Sequence, residues 1–168
     1  MAIKAIFLDR DGVINKEINY LHKIDDFQFI NGIFEACQFL ESLNYKIIII
    51  TNQSGISRGY YTEIDFQKIT QWMLGQFHDN NIKILDVIHC PHLPSDFCDC
   101  RKPKPGMLLS ARSKYCIDME NSWMIGDKEE DIMAANAVNI KNTILVRSGH
   151  KINEKITKAK FVIDSIKE

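Results

Sequence analysis

The sequence predicts an α/β fold in which a mostly parallel β-sheet is covered by helices on both faces. Short apolar runs alternate with helical patterns along the 168 residues, and this alternation is typical of parallel sheets. Hydrophobic residues make up 45% of the chain and charged residues 26%, as in ordinary globular proteins. The length fits one hydrophobic core. We therefore expect a single domain over residues 1–168.

The elements follow from apolar runs and from helix signals. Strands are predicted near residues 3–8, 46–51, 84–89, 122–125, 142–146 and 160–163. Helices are predicted over residues 32–43 and about 63–79, and Thr62 is the expected N-cap of the second. Two further helices should begin near Pro105 and Glu129.

Some segments are interpreted as packing or left open. The predicted core stripe of the first helix is Ile33, Phe34, Cys37, Phe39, Leu40 and Leu43. Cys37 therefore belongs to packing, and we interpret Cys116 in the same way. Residues 149–160 are charged and fit either a helix or a surface loop.

Composition excludes several classes of function. The net charge of −1 and the pI near 6.5 provide no basic field for nucleic acid or anionic lipid. No apolar run approaches the length of a membrane span, and the opening residues do not resemble a signal peptide. An odd number of cysteines, with three near a histidine, favours a metal site in a reducing compartment. We expect a cytoplasmic monomer with a small-molecule substrate and without nucleic-acid or membrane partners.

Two aspartates end the first predicted strand. Asp9 and Asp11 are two residues apart, so on an extended strand their side chains point to the same side. Both would leave the carboxyl end of the strand, where open α/β sheets place ligands, and Gly12 permits a sharp turn there. Such close like charges require a cation or a proton between them. An acidic turn without chemistry is an equally good interpretation of this segment alone.

Three later segments also carry groups suited to phosphate. Thr51–Gly55 follows the second strand with a hydroxyl, amides and free backbone N–H groups. Arg101 and Lys102 supply cations in a proline-stiffened loop. Gly126 and Asp127 end another apolar strand and could complete a hard-cation site. The first of these segments alone is better explained as a polar turn, and the second as a solvated basic turn before a helix. The acids that follow Asp127 are explained as charges at a helix start, although we keep Asp131 as an exception.

A compact set of metal-ligating side chains follows the third predicted strand. Its members are Cys90, His92, Cys98 and Cys100. Three thiolates and one imidazole form a closed tetrahedral zinc site without an open position. Scattered buried cysteines with a core histidine are the less favoured alternative. Because the loop runs into Arg101 and Lys102, bound zinc would fix the position of these two cations.

Taken together, these motifs resemble those of the haloacid dehalogenase superfamily of phosphotransferases, over nearly the whole chain. The matching residues are Asp9–Val13, Thr51–Asn52, Lys102 and Gly126–Asp127. Residues 51–61 and 100–107 are further similar to the histidinol-phosphatase/heptose bisphosphatase family within it. The resemblance implies a capless Rossmann-like three-layer sandwich with a zinc-binding loop.

The resemblance also implies an activity. It is the Mg²⁺-dependent removal of the 7-phosphate from D-glycero-D-manno-heptose 1,7-bisphosphate, a step of nucleotide-activated heptose and lipopolysaccharide biosynthesis. Asp9 would form an aspartyl-phosphate, and Asp11 would act as general acid and base. Thr51 and Lys102 would stabilise the transferring phosphoryl group.

The family pattern further implies the ligand sets. Mg²⁺ would be held by the Asp9 carboxylate, the Asp11 backbone carbonyl and Asp127. Substrate would contact Glu17, Ile18, Asn19, Tyr20, Thr51, Asn52, Gln53, Ser54, Arg101, Lys102 and Lys128.

Two other functions stay open at this point. One is hydrolysis of histidinol phosphate, for which the short cysteine loop is also suited. The other is a non-catalytic, zinc-stabilised binding module, which the presence of Asp9, Asp11, Lys102 and Asp127 disfavours. The α or β preference at the 1-phosphate is not predicted.

Overall fold

A computed structural model describes residues 2–168, which form one sheet flanked by helices. The strands are β1 (Ala5–Leu8), β2 (Lys46–Asn52), β3 (Ile84–Cys90), β4 (Trp123–Gly126), β5 (Asn142–Val146) and β6 (Phe161–Ile163). The α-helices are α1 (Ile33–Ser42), α2 (Glu63–Asp79), α3 (Gly106–Tyr115) and α4 (Glu129–Asn136). All the predicted strands and helices are therefore confirmed, with ends that shift by at most a few residues.

The strand order is β3-β2-β1-β4-β5-β6, and each neighbouring pair is parallel. The central strand β1 pairs with β2 and β4 through Phe7, which lies opposite Ile48 and Met124. Since parallel strands end at the same edge, the residues that follow β1, β2 and β4 are brought together. The predicted Rossmann-like fold is thus confirmed.

The helices form the two outer layers of a three-layer sandwich. Ile6 and Leu8 of β1 pack in one buried cluster with Met73 of α2. The alternate residue Phe7 faces the other side and packs with Met107 of α3. Each such fully buried side chain contributes about 1.5–3 kcal/mol. Among residues 2–168 no cap domain is inserted between these elements, and no helix is long and apolar enough to cross a membrane.

Local capping explains where α2 begins. The Thr62 hydroxyl accepts from the Asp65 backbone N–H at 3.1 Å, and the Thr62 backbone N–H donates to Asp65 Oδ2 at 2.8 Å. This reciprocal pair is a capping box, whose N-cap side chain is worth about 1 kcal/mol. The open question over residues 149–160 is also answered, because they form a turn, bends and irregular chain, not a helix.

Two packing predictions were wrong. Phe39 and Leu43 are 62% and 46% exposed, because at 100° per residue they fall away from the buried face that Ile33 and Cys37 define. Cys116 is exposed, since α3 ends at Tyr115 and Cys116 takes the left-handed conformation of its C-cap.

Candidate active site

The carboxyl ends of the strands open into a cleft of about 220 Å³. Its floor is polar, with Asp9 following β1 and the buried Lys102 reaching in from the loop that follows β3. Residues on its walls and rim are Asp11, Glu17, Ile18, Asn19, Tyr20, Leu21, Asn52, Gln53, Ser54, Arg58, Tyr61, Arg101, Lys128, Glu130, Asp131 and His150.

Lys102 lies at the centre of the floor and is only 3% exposed. Its Nζ donates to Asp9 Oδ1 at 2.9 Å and to the Ile50 carbonyl at 2.9 Å, and it pairs with Asp131 Oδ1 at 2.6 Å. These contacts use all three ammonium donors. Burial alone would lower the pKa of Lys102, but the Asp131 and Asp9 carboxylates raise it above its usual value. Lys102 is therefore a fixed positive charge.

The backbone of Lys102 is held from β2. The Asn52 side chain donates to the Lys102 carbonyl at 3.1 Å and accepts from the Lys102 N–H at 3.1 Å. Both polar ends of the Asn52 amide are thus committed to one residue. Asn52 lines the cleft, and its side-chain hydrogen bonds position Lys102.

Asp9 has one committed and one open carboxylate oxygen. Its Oδ1 accepts from Lys102 Nζ and from the Arg10 backbone N–H, both at 2.9 Å. Its Oδ2 has no hydrogen bond from the described part of the chain. Burial raises the pKa of Asp9, against the opposing charge of Lys102. The open oxygen is therefore the one that can react with a ligand.

Asp11 is oriented by neutral and charged donors. Its Oδ1 accepts from Arg10 Nη2 and Asn15 Nδ2, both at 2.9 Å, and its Oδ2 accepts from Gln53 Nε2 at 3.0 Å. The Gln53 carbonyl oxygen in turn accepts from the Tyr61 hydroxyl. The two adjacent aspartates therefore differ in environment, since Asp9 faces a buried lysine and Asp11 a hydrogen-bonding frame.

Asp127 is fully buried and carries an unpartnered oxygen. Its Oδ2 accepts from the His150 N–H at 2.9 Å and from His150 Nδ1 at 2.6 Å, but its Oδ1 has no partner among the described residues. Space around it is tight, because a Cβ on Gly12 would lie 2.3 Å from Asp127 Oδ2.

A hard cation fits this acid cluster. One carboxylate oxygen each from Asp9, Asp127 and Asp131 lies within 4.8 Å of the others. The Asp131 oxygens are occupied by Lys102 and by the N–H groups of Asp127 and Lys128. The Asp9 carboxylate and the unpartnered Oδ1 of Asp127 are hard oxygen ligands of the kind that Mg²⁺ prefers, and a buried unpartnered carboxylate oxygen usually indicates a missing partner.

The four predicted metal ligands of the cysteine loop lie together. One donor atom each from Cys90, His92, Cys98 and Cys100 falls within 4.8 Å of the others. The Cys100 sulfur is 3.0 Å from that of Cys90 and 3.2 Å from His92 Nδ1. Three sulfurs and a nitrogen fit zinc. The cluster touches the cleft wall, since Arg101 Nη1 donates to the His92 carbonyl at 3.4 Å.

The rim of the cleft carries cations and aromatic rings. Arg58 lies 5.9 Å from the Tyr20 ring centroid, and Tyr20 packs edge-on against Tyr60 at 4.7 Å. Burial raises the pKa of Glu17 to about 7, and the nearby Asp11 charge acts in the same direction. With Arg101 and Lys128, Arg58 gives the cleft three cations besides Lys102, which suits an anionic ligand.

The structure brings most of the predicted site residues into this cleft. Those that line it are Asp9, Asp11, Glu17, Ile18, Asn19, Tyr20, Asn52, Gln53, Ser54, Arg101, Lys102 and Lys128. Thr51 and Asp127 are buried directly beneath it, at 1% and 0% exposure. Gln53 is committed to Asp11 and to the Thr51 hydroxyl, at 3.0 and 2.9 Å.

Sequence reasoning missed Arg58, Tyr61, Glu130 and His150. The His22 ring stacks on that of Tyr61 with the centroids 5.1 Å apart, and His150 contacts Asp127. The signal for His150 was its position four residues after β5, whose end lies at the same edge as those of β1 and β4.

Comparisons with known proteins identify relatives of this chain. A family model described as HAD-hydrolase-like matches residues 99–168. The chain is 49% identical, over 100% of its length and 95% of the relative, to a D-glycero-beta-D-manno-heptose-1,7-bisphosphate 7-phosphatase of Vibrio cholerae. It is 48% identical, over 90% of its length and 87% of the relative, to a D-glycero-alpha-D-manno-heptose-1,7-bisphosphate 7-phosphatase of Photorhabdus laumondii.

A solved structure gives the same fold. The D,D-heptose 1,7-bisphosphate phosphatase of B. bronchiseptica, complexed with magnesium and phosphate, superposes with a TM-score of 0.85 at 28% identity. The match covers 98% of this chain and 94% of that one.

Proposed function

Because this chain belongs to the heptose bisphosphate phosphatases of the haloacid dehalogenase-like hydrolases, we propose that it removes the 7-phosphate from D-glycero-D-manno-heptose 1,7-bisphosphate. The product would feed the synthesis of nucleotide-activated heptose. One observation carries the proposal. The open carboxylate oxygen of Asp9, the buried charge of Lys102 and the unpartnered oxygen of Asp127 meet at one cleft.

The first step is transfer of the phosphoryl group to the protein. Asp9 Oδ2 forms a bond to phosphorus while the bond from phosphorus to the sugar oxygen breaks. Asp11 gives a proton to the departing oxygen, which leaves as the sugar hydroxyl. Lys102 is 2.9 Å from the other Asp9 oxygen, so its charge lies beside the phosphoryl group as negative charge spreads over it.

The second step is hydrolysis of the aspartyl-phosphate. Asp11, now deprotonated, takes a proton from water while the water oxygen bonds to phosphorus. The bond between phosphorus and Asp9 Oδ2 breaks, which releases inorganic phosphate and restores both carboxyl groups. The Gln53 and Asn15 bonds to Asp11 hold it at one position for both proton transfers.

Mg²⁺ is the cation that these residues would hold. Asp9, the backbone carbonyl of Asp11 and Asp127 are its proposed ligands, and bound there it supplies positive charge that offsets the phosphate during attack. Thr51 is assigned to the same phosphoryl group, which its hydroxyl would reach from below the cleft floor.

Substrate selection is assigned to the wall and rim of the cleft. A bisphosphate carries a second anion away from the reacting phosphorus, and Arg58, Arg101 and Lys128 are the cleft cations available to it. The loop over residues 17–20 and the Thr51–Ser54 turn complete the wall. Zinc at the cysteine loop would be structural, since it fixes the backbone next to Arg101.

We assign the protein to the cytoplasm as a single-domain monomer without nucleic-acid or membrane partners. The net charge of −1 supports the absence of nucleic-acid binding.

The test is phosphate release from a panel of phosphate esters with and without Mg²⁺. Both anomers of the heptose bisphosphate and histidinol phosphate belong in the panel, because relatives carry both anomeric names. We expect Mg²⁺-dependent release that is fastest with a heptose bisphosphate. Faster release from histidinol phosphate would show that the substrate assigned here is wrong. Failure to hydrolyse any ester would refute the proposed phosphatase activity.

A further inference from the structure

His150 links the proposed cation site to the wall of the substrate cleft. Its Nδ1 lies 2.6 Å from Asp127 Oδ2, and its Nε2 lies 3.6 Å from Glu17 Oε1. Asp127 is fully buried beneath the cleft floor, whereas Glu17 belongs to the loop that lines the cleft. The ring is thus hydrogen-bonded to Asp127 and lies next to Glu17, two residues that differ in depth and in role.

The contact with Asp127 is directional. A carboxylate oxygen can only accept, so His150 Nδ1 carries the proton of this bond. The backbone N–H of His150 donates to the same oxygen at 2.9 Å. Both donors occupy Oδ2, so the other oxygen, Oδ1, is the one left without a partner and available to a cation.

The surrounding backbone leaves the Asp127 carboxylate little space to take another position. A Cβ on Gly149 would lie 2.1 Å from Asp127 Oδ2, so the turn before His150 packs directly on it. The Ser148 hydroxyl donates to the Gly12 carbonyl at 2.7 Å, which ties the same turn to the Asp9–Gly12 segment. The backbone that carries His150 is therefore fixed relative to Asp127 and to the Asp9–Gly12 segment.

We propose that His150 is a positioning residue that couples cation binding at Asp127 to the order of the substrate loop over residues 17–20. The inference rests on the proposed function, because it requires a cation at Asp127. A bound cation would hold Asp127, the short Nδ1 bond would hold the ring, and the ring, 3.6 Å from Glu17 Oε1, would limit the movement of that side chain. Groups that orient a ligating side chain typically change metal affinity 10–100-fold when they are removed.

Two substitutions separate the two contacts of the ring. His150→Ala removes both contacts but keeps the backbone N–H bond to Asp127. His150→Asn places an amide nitrogen near the position of Nδ1 but is too short to reach Glu17. His78→Ala is the matched control, since His78 is exposed on α2.

The first readout is Mg²⁺ binding to zinc-loaded protein without substrate, measured by calorimetry. We expect about tenfold weaker binding in His150→Ala, and affinity near the wild-type value in His150→Asn and His78→Ala. Asp127→Ala is the control that defines the site, and it should lose the binding altogether.

The second readout is amide hydrogen exchange over residues 17–21 with and without Mg²⁺. We expect Mg²⁺ to slow exchange severalfold in the wild type and in His78→Ala, but in neither His150 variant. Because both variants lose the ring beside Glu17, KM for substrate should rise in both at saturating Mg²⁺, more than kcat falls.

The outcomes distinguish this inference from the function on which it rests. Wild-type Mg²⁺ affinity and unchanged loop exchange in His150→Ala would overturn the role of His150 and leave the phosphatase intact. A wild type that binds no Mg²⁺, or whose binding survives Asp127→Ala, would remove the proposed cation site and the inference with it.

Discussion

Replacement of Lys102 by Met tests whether the floor of the cleft depends on one buried charge. Met keeps most of the side-chain volume and removes the ammonium group, so the Asp9 and Asp131 carboxylates lose their shared partner at 2.9 and 2.6 Å. Removing one member of a buried ion pair costs about 3–5 kcal/mol, because the remaining charge stays buried without compensation. We expect a loss of this size in the free energy of unfolding.

The assay is urea unfolding of zinc-loaded protein in Mg²⁺-free buffer at pH 7.5, as a double-mutant cycle with Asp131→Asn. In the Lys102→Met background Asp131→Asn should be nearly neutral or favourable, which gives a coupling energy of about 2 kcal/mol. Lys114→Met is the control, since Lys114 pairs with Asp86 at a similar distance of 2.9 Å but is exposed, and we expect little change from it.

The pH dependence follows from the same charges. Lys102 opposes the rise in the pKa of Asp9, so without it Asp9 should hold its proton to higher pH. The folded variant then binds more protons than its unfolded chain, and its stability should fall as pH rises from about 4 towards neutrality. In the wild type, the raised pKa of Lys102 gives stability that is fully present below the unfolded pKa and is lost only at strongly alkaline pH. A variant as stable as the wild type at pH 7.5, or a coupling energy near zero, would refute this reasoning.

Three further perturbations follow from the contacts described. Gly12→Ala should abolish phosphatase activity, because Gly12 has a φ of +90° and an added Cβ would lie 2.3 Å from Asp127 Oδ2. Gly75→Ala is the control and should keep activity, because the space around Gly75 is open. An active Gly12→Ala enzyme would show that Asp127 can move. Removal of zinc by a chelator, followed by restoration of Mg²⁺, should raise KM more than it lowers kcat, because the cysteine loop supports Arg101. Metal analysis of the purified protein that finds no stoichiometric zinc would refute this role of the loop. Burial raises the pKa of Cys37 to about 12, so the free energy of unfolding should decline as pH rises above about 9. At pH 8 a thiol reagent should label the exposed Cys116 in zinc-loaded protein, but Cys37 only after unfolding. Cys116→Ser is the control for this labelling.

Strand ends were predictable because local pattern determines them. Apolar runs identify β1, β2 and β4, and parallel pairing brings the residues after them to one edge. Asp9, Asn52 and Asp127 therefore meet without any knowledge of side-chain packing. The cysteine loop was also recognisable from local pattern, because its four ligands are close in sequence.

Side-chain commitments were not predictable in this way. Gln53 bonds Asp11 across 42 positions of the chain, and Asn52 bonds the Lys102 backbone across 50. The sequence shows that these groups are polar and near the site, but not which partner takes their hydrogen bonds. For His150 the partner is Asp127, 23 positions away, and it depends on how a segment without regular structure crosses the sheet edge.

Covalent trapping shows most directly whether the open oxygen of Asp9 attacks phosphorus beside Lys102 and Asp127. Zinc-loaded enzyme with Mg²⁺ is mixed with heptose bisphosphate that carries ³²P at the 7-position, quenched in acid within milliseconds, digested and mapped by mass spectrometry. We expect label on the peptide that contains Asp9, labile to hydroxylamine and absent from Asp9→Asn, which should not turn over. Turnover without label on Asp9, or label on another residue, would show that Asp9 is not the nucleophile.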